Sequence, residues 1–154
     1  MTIFDHAWLC QQIVEETPDA IIVADRDGII RLWNKGAEAT FGYGQDEAVG
    51  QTLDLIIPER LRERHWDGYH TVAETGVTRY GRELLSVPGM RKDGSRLSLE
   101  FSIAMLRGEA GQVLGFAAVL RDVTKSWEET RALKERVATL EAQVKNSGTP
   151  PADR

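Results

Sequence analysis

Residues 96–122, RLSLEFSIAMLRGEAGQVLGFAAVLRD, decide how this chain folds. Leu97, Leu99, Phe101, Ile103 and Met105 alternate with small or polar residues, so they share one face of a strand. RGEAGQ is a turn. VLGFAAVLRDV then runs apolar on both faces, as a strand does when it is covered on both sides. The two runs make an antiparallel hairpin.

Upstream, KDGS is another turn and TRYGRELLSVPGMRK, of mixed pattern, supplies a strand before it. Near the start, DAIIVADRDGIIRLWN reads as a second hairpin, with Ile21–Ala24 and Ile29–Trp33 as strands. DRDG is its turn, and Gly28 is free to take a positive φ. Between the hairpins, residues 35–60 carry short helical pieces broken by Gly36, Gly42, Gly44 and Gly50. Pro58 opens a longer helix, ERLRERHWDGYHTVAET, which Gly76 caps. Residues 4–16 form a short amphipathic helix through Phe4, Trp8, Leu9 and Ile13, ended by Pro18. A last helix begins near Thr124, with Ser126 and Glu129 as a capping box. Its Ser126, Thr130, Leu133, Val137, Leu140 and Val144 follow the alternating four-three spacing of a coiled-coil seam. These elements predict an α+β fold: a five-stranded antiparallel sheet with short helices on one face. The divisions are an N-terminal helix over 1–17, a core over 18–123, a coiled-coil helix over 124–145 and a disordered tail over 146–154.

Composition bounds the function. The chain has 154 residues, one cysteine and a formal charge of −5. A single cysteine excludes a disulfide framework and any multi-cysteine metal site. The net charge argues against nucleic-acid binding. Arg60, Arg62 and Arg64 alternate with Glu59 and Glu63, as on a solvated helix face. No apolar run is long enough to span a bilayer, and MTIFDHAW does not read as a signal peptide, so the expectation is a cytoplasmic chain without a membrane partner. His6 and Cys10 stand four apart, but the plainer reading is a buried cysteine on a helix face beside an exposed histidine. Serine-nucleophile, phosphate-loop and metalloprotease motifs are missing, so no catalysis is expected.

Four stretches in order, PDAIIVADRDGIIRLWNKGAEATFGYGQDEAVG, IPERLRERH, RKDGS and GFAAVLRDVT, resemble the PAS sensory domain. The resemblance implies a pocket between sheet and helices that takes a small ligand or cofactor. It also implies transmission of occupancy through the terminal helices of a parallel homodimer to a separate downstream signalling protein. The alternative is a ligand-free module for dimerisation and protein interaction. Light-sensing flavin members carry a reactive cysteine in the helices after the first hairpin. Residues 35–73 contain none, which excludes that photochemistry and a thioester-linked chromophore. Non-covalent flavin is the lesser alternative, with Trp33 and Trp66 as stacking partners.

Around His65 the chain resembles the rhizobial haem-PAS oxygen sensors, which implies haem b with His65 as iron ligand and a role in gas or redox sensing. Leu61, His65, Gly68 and Val72 share one helical stripe, and Gly68 leaves room for a flat macrocycle. Leu97, Leu99, Phe101, Ile103 and Met105 would form the facing wall. Those sensors place an arginine on the next strand, where this chain has Leu85. Arg82 is the nearest substitute, three residues away and so on the other face of a regular strand.

Overall fold

The computed structural model describes residues 3–78 and 81–148. The elements run α1 (His6–Glu16), β1 (Ala20–Asp25), β2 (Ile30–Trp33), α2 (Lys35–Phe41), α3 (Gln45–Ala48), a single 3₁₀ turn (Leu53–Leu55), α4 (Glu59–Thr75), β3 (Leu85–Met90), β4 (Arg96–Arg107), β5 (Val113–Asp122) and α5 (Thr124–Ser147). The five strands form one antiparallel sheet in the order β2-β1-β5-β4-β3. The expected α+β architecture stands, but the cover expected on both faces of β5 does not, since Val119 is 41% exposed.

The core lies on one face of this sheet. Leu97, Leu99, Leu120, Ala20, Ile22, Ile30 and Trp33 pack there against Ala37, Phe41, Ala48 and Ile56 from the helical segment. Gly28 closes the β1–β2 turn with φ +79°, which only glycine adopts cheaply. Asn34, wholly buried, fastens the segment in place. Its Oδ1 accepts from the backbone N–H groups of Ile21 and Ala37, both at 2.8 Å, so it caps α2 and ties it to β1. Its Nδ2 donates to the carbonyls of Val14 and Asp19, anchoring the end of α1. All four of its hydrogen-bonding positions are used, which is how a buried amide escapes its desolvation cost.

Four further expectations need correction. The first helix begins at His6, one residue after the Asp5 side chain that caps it. Cys10 is exposed rather than buried, because α1 turns it away from the sheet; its Sγ lies 3.6 Å from His6 Nε2. The capping box at Ser126 does not form, since α5 already starts at Thr124 after Val123, with no side-chain cap. That helix also continues through Ser147, two residues beyond the expected end; the remainder of the tail lies outside the described residues. The α5 segment, from Val123 on, is a compact unit of its own.

Candidate functional site

The site is built on α4 and the sheet face beside it. Pro58 precedes the helix and Gly76 ends it in the left-handed conformation, φ +68°. Three side chains hold it along its length. Arg62 donates to the carbonyls of Ile57 and Asp54, at 3.0 and 3.2 Å. The Trp66 indole N–H donates to the Asp54 carboxylate at 2.8 Å, while its ring lies on Gly28 so closely that a Cβ there would be 2.1 Å from Cη2. Tyr69 donates to the backbone carbonyl of Asp25 and meets Phe116 edge-on at 4.8 Å. Burial first, and then the charges of Asp25 and Asp27, push the Tyr69 phenol above its ordinary range, so it stays a donor. Ala73 completes the contact against Val113 and Phe116. At the far end, Arg107 donates to the carbonyls of Gly76 and Gly111, clamping the helix terminus to the β4–β5 turn.

The gripping stripe is therefore Arg62, Trp66, Tyr69 and Ala73. It lies one residue round the helix from the expected stripe of Leu61, His65, Gly68 and Val72, a rotation of about 100°. This rotation decides what each candidate residue does. The Trp66–His70 side of α4 faces the β1–β2 turn; there His70, Ala73 and Glu74 border a shallow hollow with Arg26 and Asp27. In the sheet order β1-β5-β4, the opposite flank, with Leu61, His65 and Val72, therefore faces β4. Val72 and Met105 pack together on the small cluster around Phe116, which fixes that direction. Leu61, His65 and Val72 are half-buried. Gly68 points to solvent, and a Cβ there would meet nothing within 4 Å, so no close approach depends on it.

The expected facing wall divides into two parts. Leu97 and Leu99 are 2% exposed and belong to the core. Phe101 and Met105 are half-buried, and between them Ile103 is 42% exposed. Pairing places Leu85 beside Phe101 and Val87 beside Leu99, on the same face. Leu85 is half-buried and Val87 is 40% exposed. The helical segment thus covers the inner face up to Leu99, α4 covers it at Met105, and an apolar strip stays open between them. Arg82 is exposed in the turn before β3, outside this strip.

His65 borders the strip. Its ring packs against Trp66 at 4.8 Å and Tyr69 at 5.6 Å. Among the described residues, its Nδ1 is the one buried side-chain nitrogen or oxygen without a hydrogen-bond partner. Burial holds the imidazole below its ordinary pKa; Asp54 pulls upward against this, and His70 adds to the lowering. A half-buried imidazole held neutral on the α4 flank that faces this strip suits a flat apolar group that offers a metal or a hydrogen-bonding atom. The residues present thus fit an iron macrocycle in their chemistry: His65 would hold the metal, and Leu61, Val72, Leu85, Phe101 and Ile103 would contact the ring. They fit stacked flavin less well. Trp33 is buried against Phe41 with its N–H on the Tyr43 carbonyl, and Trp66 is occupied by Gly28 and Asp54. No group of three or more His, Cys, Asp or Glu side chains among the described residues is placed to hold a bare metal ion. None of the described helices is long and apolar enough to cross a membrane.

Sequence reasoning missed Tyr69, Arg107 and Asp54, and took Trp66 for a stacking partner of flavin rather than the residue that seats α4 on Gly28. The signal for Trp66 and Tyr69 was present, as aromatic residues at helical spacing from Arg62 and Ala73.

Comparison with known proteins agrees with this architecture. A family model described as PAS fold matches residues 14–127. Sensor protein FixL of Bradyrhizobium diazoefficiens is 33% identical over 133 residues, covering 84% of this chain and 25% of the relative. The cell-division control histidine kinase PdhS of Brucella anthropi is 29% identical over 126 residues, covering 82% of this chain and 12% of the relative. The chain thus spans a quarter or less of these relatives. Among solved structures, the PAS domain of a protein from Colwellia psychrerythraea superposes with a TM-score of 0.69 at 27% identity, over 79% of this chain and 99% of that one.

Proposed function

Because the chain belongs to the PAS-fold family, we propose that it is a sensory input domain whose ligand lies on the open strip between α4 and β4. PAS domains are in general sensory modules without catalysis of their own, and the similarity to sensor kinases suits that role. One observation carries the ligand reading: the half-buried His65, whose Nδ1 has no hydrogen-bond partner, on the α4 flank that the sheet order turns toward β4, where Ile103 is 42% exposed. A buried polar atom left alone costs roughly 1–3 kcal/mol, and a ligand that satisfies it removes that cost.

Haem b is the ligand that best unites these features, given the resemblance to haem-PAS sensors around His65. Bound haem would supply an iron centre able to take a diatomic gas or change redox state. The chain's own part is to hold the imidazole neutral by burial, orient it between Trp66 and Tyr69, and keep water from the strip with Leu61, Val72 and Met105. Occupancy would press on β4, which is paired along its length with β5, and β5 leads directly into α5. The receiver would be a separate signalling protein or a further part of a longer chain.

Hemin titration of purified protein, followed by absorption spectroscopy, tests the reading. The native chain and His70→Ala should develop a Soret band, and His65→Ala should lose it. Equal bands in both variants would remove His65 as ligand. No band in any of them would remove haem and leave the ligand-free interaction module as the better reading.

A further inference from the structure

The polar hold on α4 is uneven. Up to Tyr69, its side chains reach back to the end of β1 and to residues 54–57. Arg62 donates to the Ile57 and Asp54 carbonyls, Trp66 to the Asp54 carboxylate and Tyr69 to the Asp25 carbonyl. Beyond Tyr69, Thr71 and Thr75 donate within the helix, to the carbonyls of Asp67 and Thr71. Among the described residues, Arg107 alone hydrogen-bonds from the sheet to the last turn, at 2.8 Å on the Gly76 carbonyl. The same guanidinium donates to Gly111 at 3.0 Å, and its Nη2 lies 3.9 Å from the Met105 sulfur. The apolar contact beneath is small: Val72 and Ala73 against Met105, Val113 and Phe116.

Gly76 completes this arrangement. It ends the helix at φ +68°, and a Cβ there would stand 3.1 Å from Arg107 Nη1. Arginine suits the place, because its planar fork serves two carbonyls at once and its charge favours a helix C-terminus. Yet Arg107 is exposed and both acceptors are neutral, so the tie breaks more easily than a buried one.

We propose that Arg107 is a latch governing entry to the strip between α4 and β4; this rests on the reading of that strip as the ligand site. Val72 and Met105 meet where the strip ends beside the latched turn. With Arg107 released, that turn lifts from the β4–β5 turn, while Trp66 on Gly28 and Tyr69 on Asp25 keep the rest of α4 seated. Val72 then parts from Met105, and the strip opens from that end. Arg107 makes the same bonds whether the strip is empty or filled. Its loss therefore speeds entry and exit alike and leaves affinity near native. Arg107 is thus a positioning residue, acting through α4.

Hydrogen exchange of the ligand-free full chain reads the latch. Arg107→Ala should speed exchange at residues 73–76 about tenfold, the worth of one charge-assisted hydrogen bond, and leave Trp66 at its native rate. Arg107→Lys should fall between, since an ammonium lacks the fork. Stopped-flow mixing with hemin, and separately with the apolar dye anilinonaphthalene sulfonate, reads the entry. Arg107→Ala should raise association and dissociation rates by similar factors. Arg64→Ala, which removes an exposed cation from the same helix, should match the native chain. Exchange unchanged in the last turn, or raised along all of α4, would overturn the latch. So would local opening without faster entry of either probe, or a weakened Kd at native entry rates. Dye kinetics as expected with no hemin binding would keep the latch and remove only haem.

Discussion

Replacing Gly28 by alanine should destabilise the chain by about 2–4 kcal/mol, from two causes that can be separated. The first is local. Gly28 has φ +79°, where an L side chain costs about 1 kcal/mol. The second is the contact that orients α4. The new Cβ would stand 2.1 Å from Trp66 Cη2 and 2.2 Å from Cζ3, far inside contact distance, so the indole must move. Moving it strains or breaks the 2.8 Å hydrogen bond to Asp54. A bond to a charged acceptor is worth roughly 1.5–3 kcal/mol. In a Trp66→Ala background the second cause is gone, and Gly28→Ala should cost only about 1 kcal/mol. Urea denaturation followed by far-UV circular dichroism, on both single variants and the double, gives the coupling. The expected value is about 1–3 kcal/mol, with the two changes hurting together less than their sum. Additivity to within about 0.5 kcal/mol would mean that Trp66 does not rest on Gly28. The rotation of α4 that turns His65 toward β4 would then lose its basis.

Other perturbations follow from the same geometry. Asn34→Ala should cost about 3 kcal/mol or more in urea denaturation, since it removes a cap and strands buried backbone groups of Ile21, Ala37, Val14 and Asp19. A loss under about 1 kcal/mol would contradict that keystone role. Stability should fall as pH drops below the ordinary imidazole value of about 6.5. The unfolded chain protonates first because burial depresses His65 in the folded state, and His65→Gln should flatten that part of the profile. A second decline should follow in the carboxylate range. Burial alone would raise Asp25, but hydrogen bonds from Arg31 and the backbone of Ile29 and Asp27 hold it low, so its contribution is present above the ordinary carboxylate pKa and lost as pH falls below it. Asp25→Asn should lessen that second decline in thermal melts across the pH series, leaving the part due to Glu47 and Asp93, which are also held low. Gly68→Ala should leave thermal stability unchanged or slightly raised, because its Cβ meets open space and alanine favours a helix.

The succession of strands along the chain was legible because alternation and turn chemistry both act locally, whereas their order in the sheet was not read. Leu97, Leu99 and Phe101 announce a face, and Gly28 and Gly76 announce a turn and a cap. Asn34 stands at the end of the second strand, and only the folded chain shows that its amide joins α1, β1 and α2. The facing of α4 was not legible to the same degree. Leu61, His65 and Val72 make one plausible stripe, and Trp66, Tyr69 and Ala73 another, a single residue apart. What chooses between them is Gly28, nearly 40 residues earlier in the chain. Likewise the pattern of β4 treats Leu97 and Ile103 alike, yet one is buried by the helical segment and the other is left open. Coverage is a property of the assembled layers, not of the strand. Cys10 was misjudged for the same reason: a short amphipathic helix does not itself say which side of it meets the sheet.

The claim on which the functional account rests is that the ligand strip lies between the Leu61–His65–Val72 flank of α4 and Ile103 of β4. Methyl-resolved NMR during a hemin titration of the full chain tests it most directly. The account predicts that the methyl signals of Leu61, Val72, Leu85 and Ile103 shift or broaden first, while those of Leu133, Val137 and Leu140 do not. Changes confined to α5 or to the outer sheet face, at Val119 and Leu114, would contradict it.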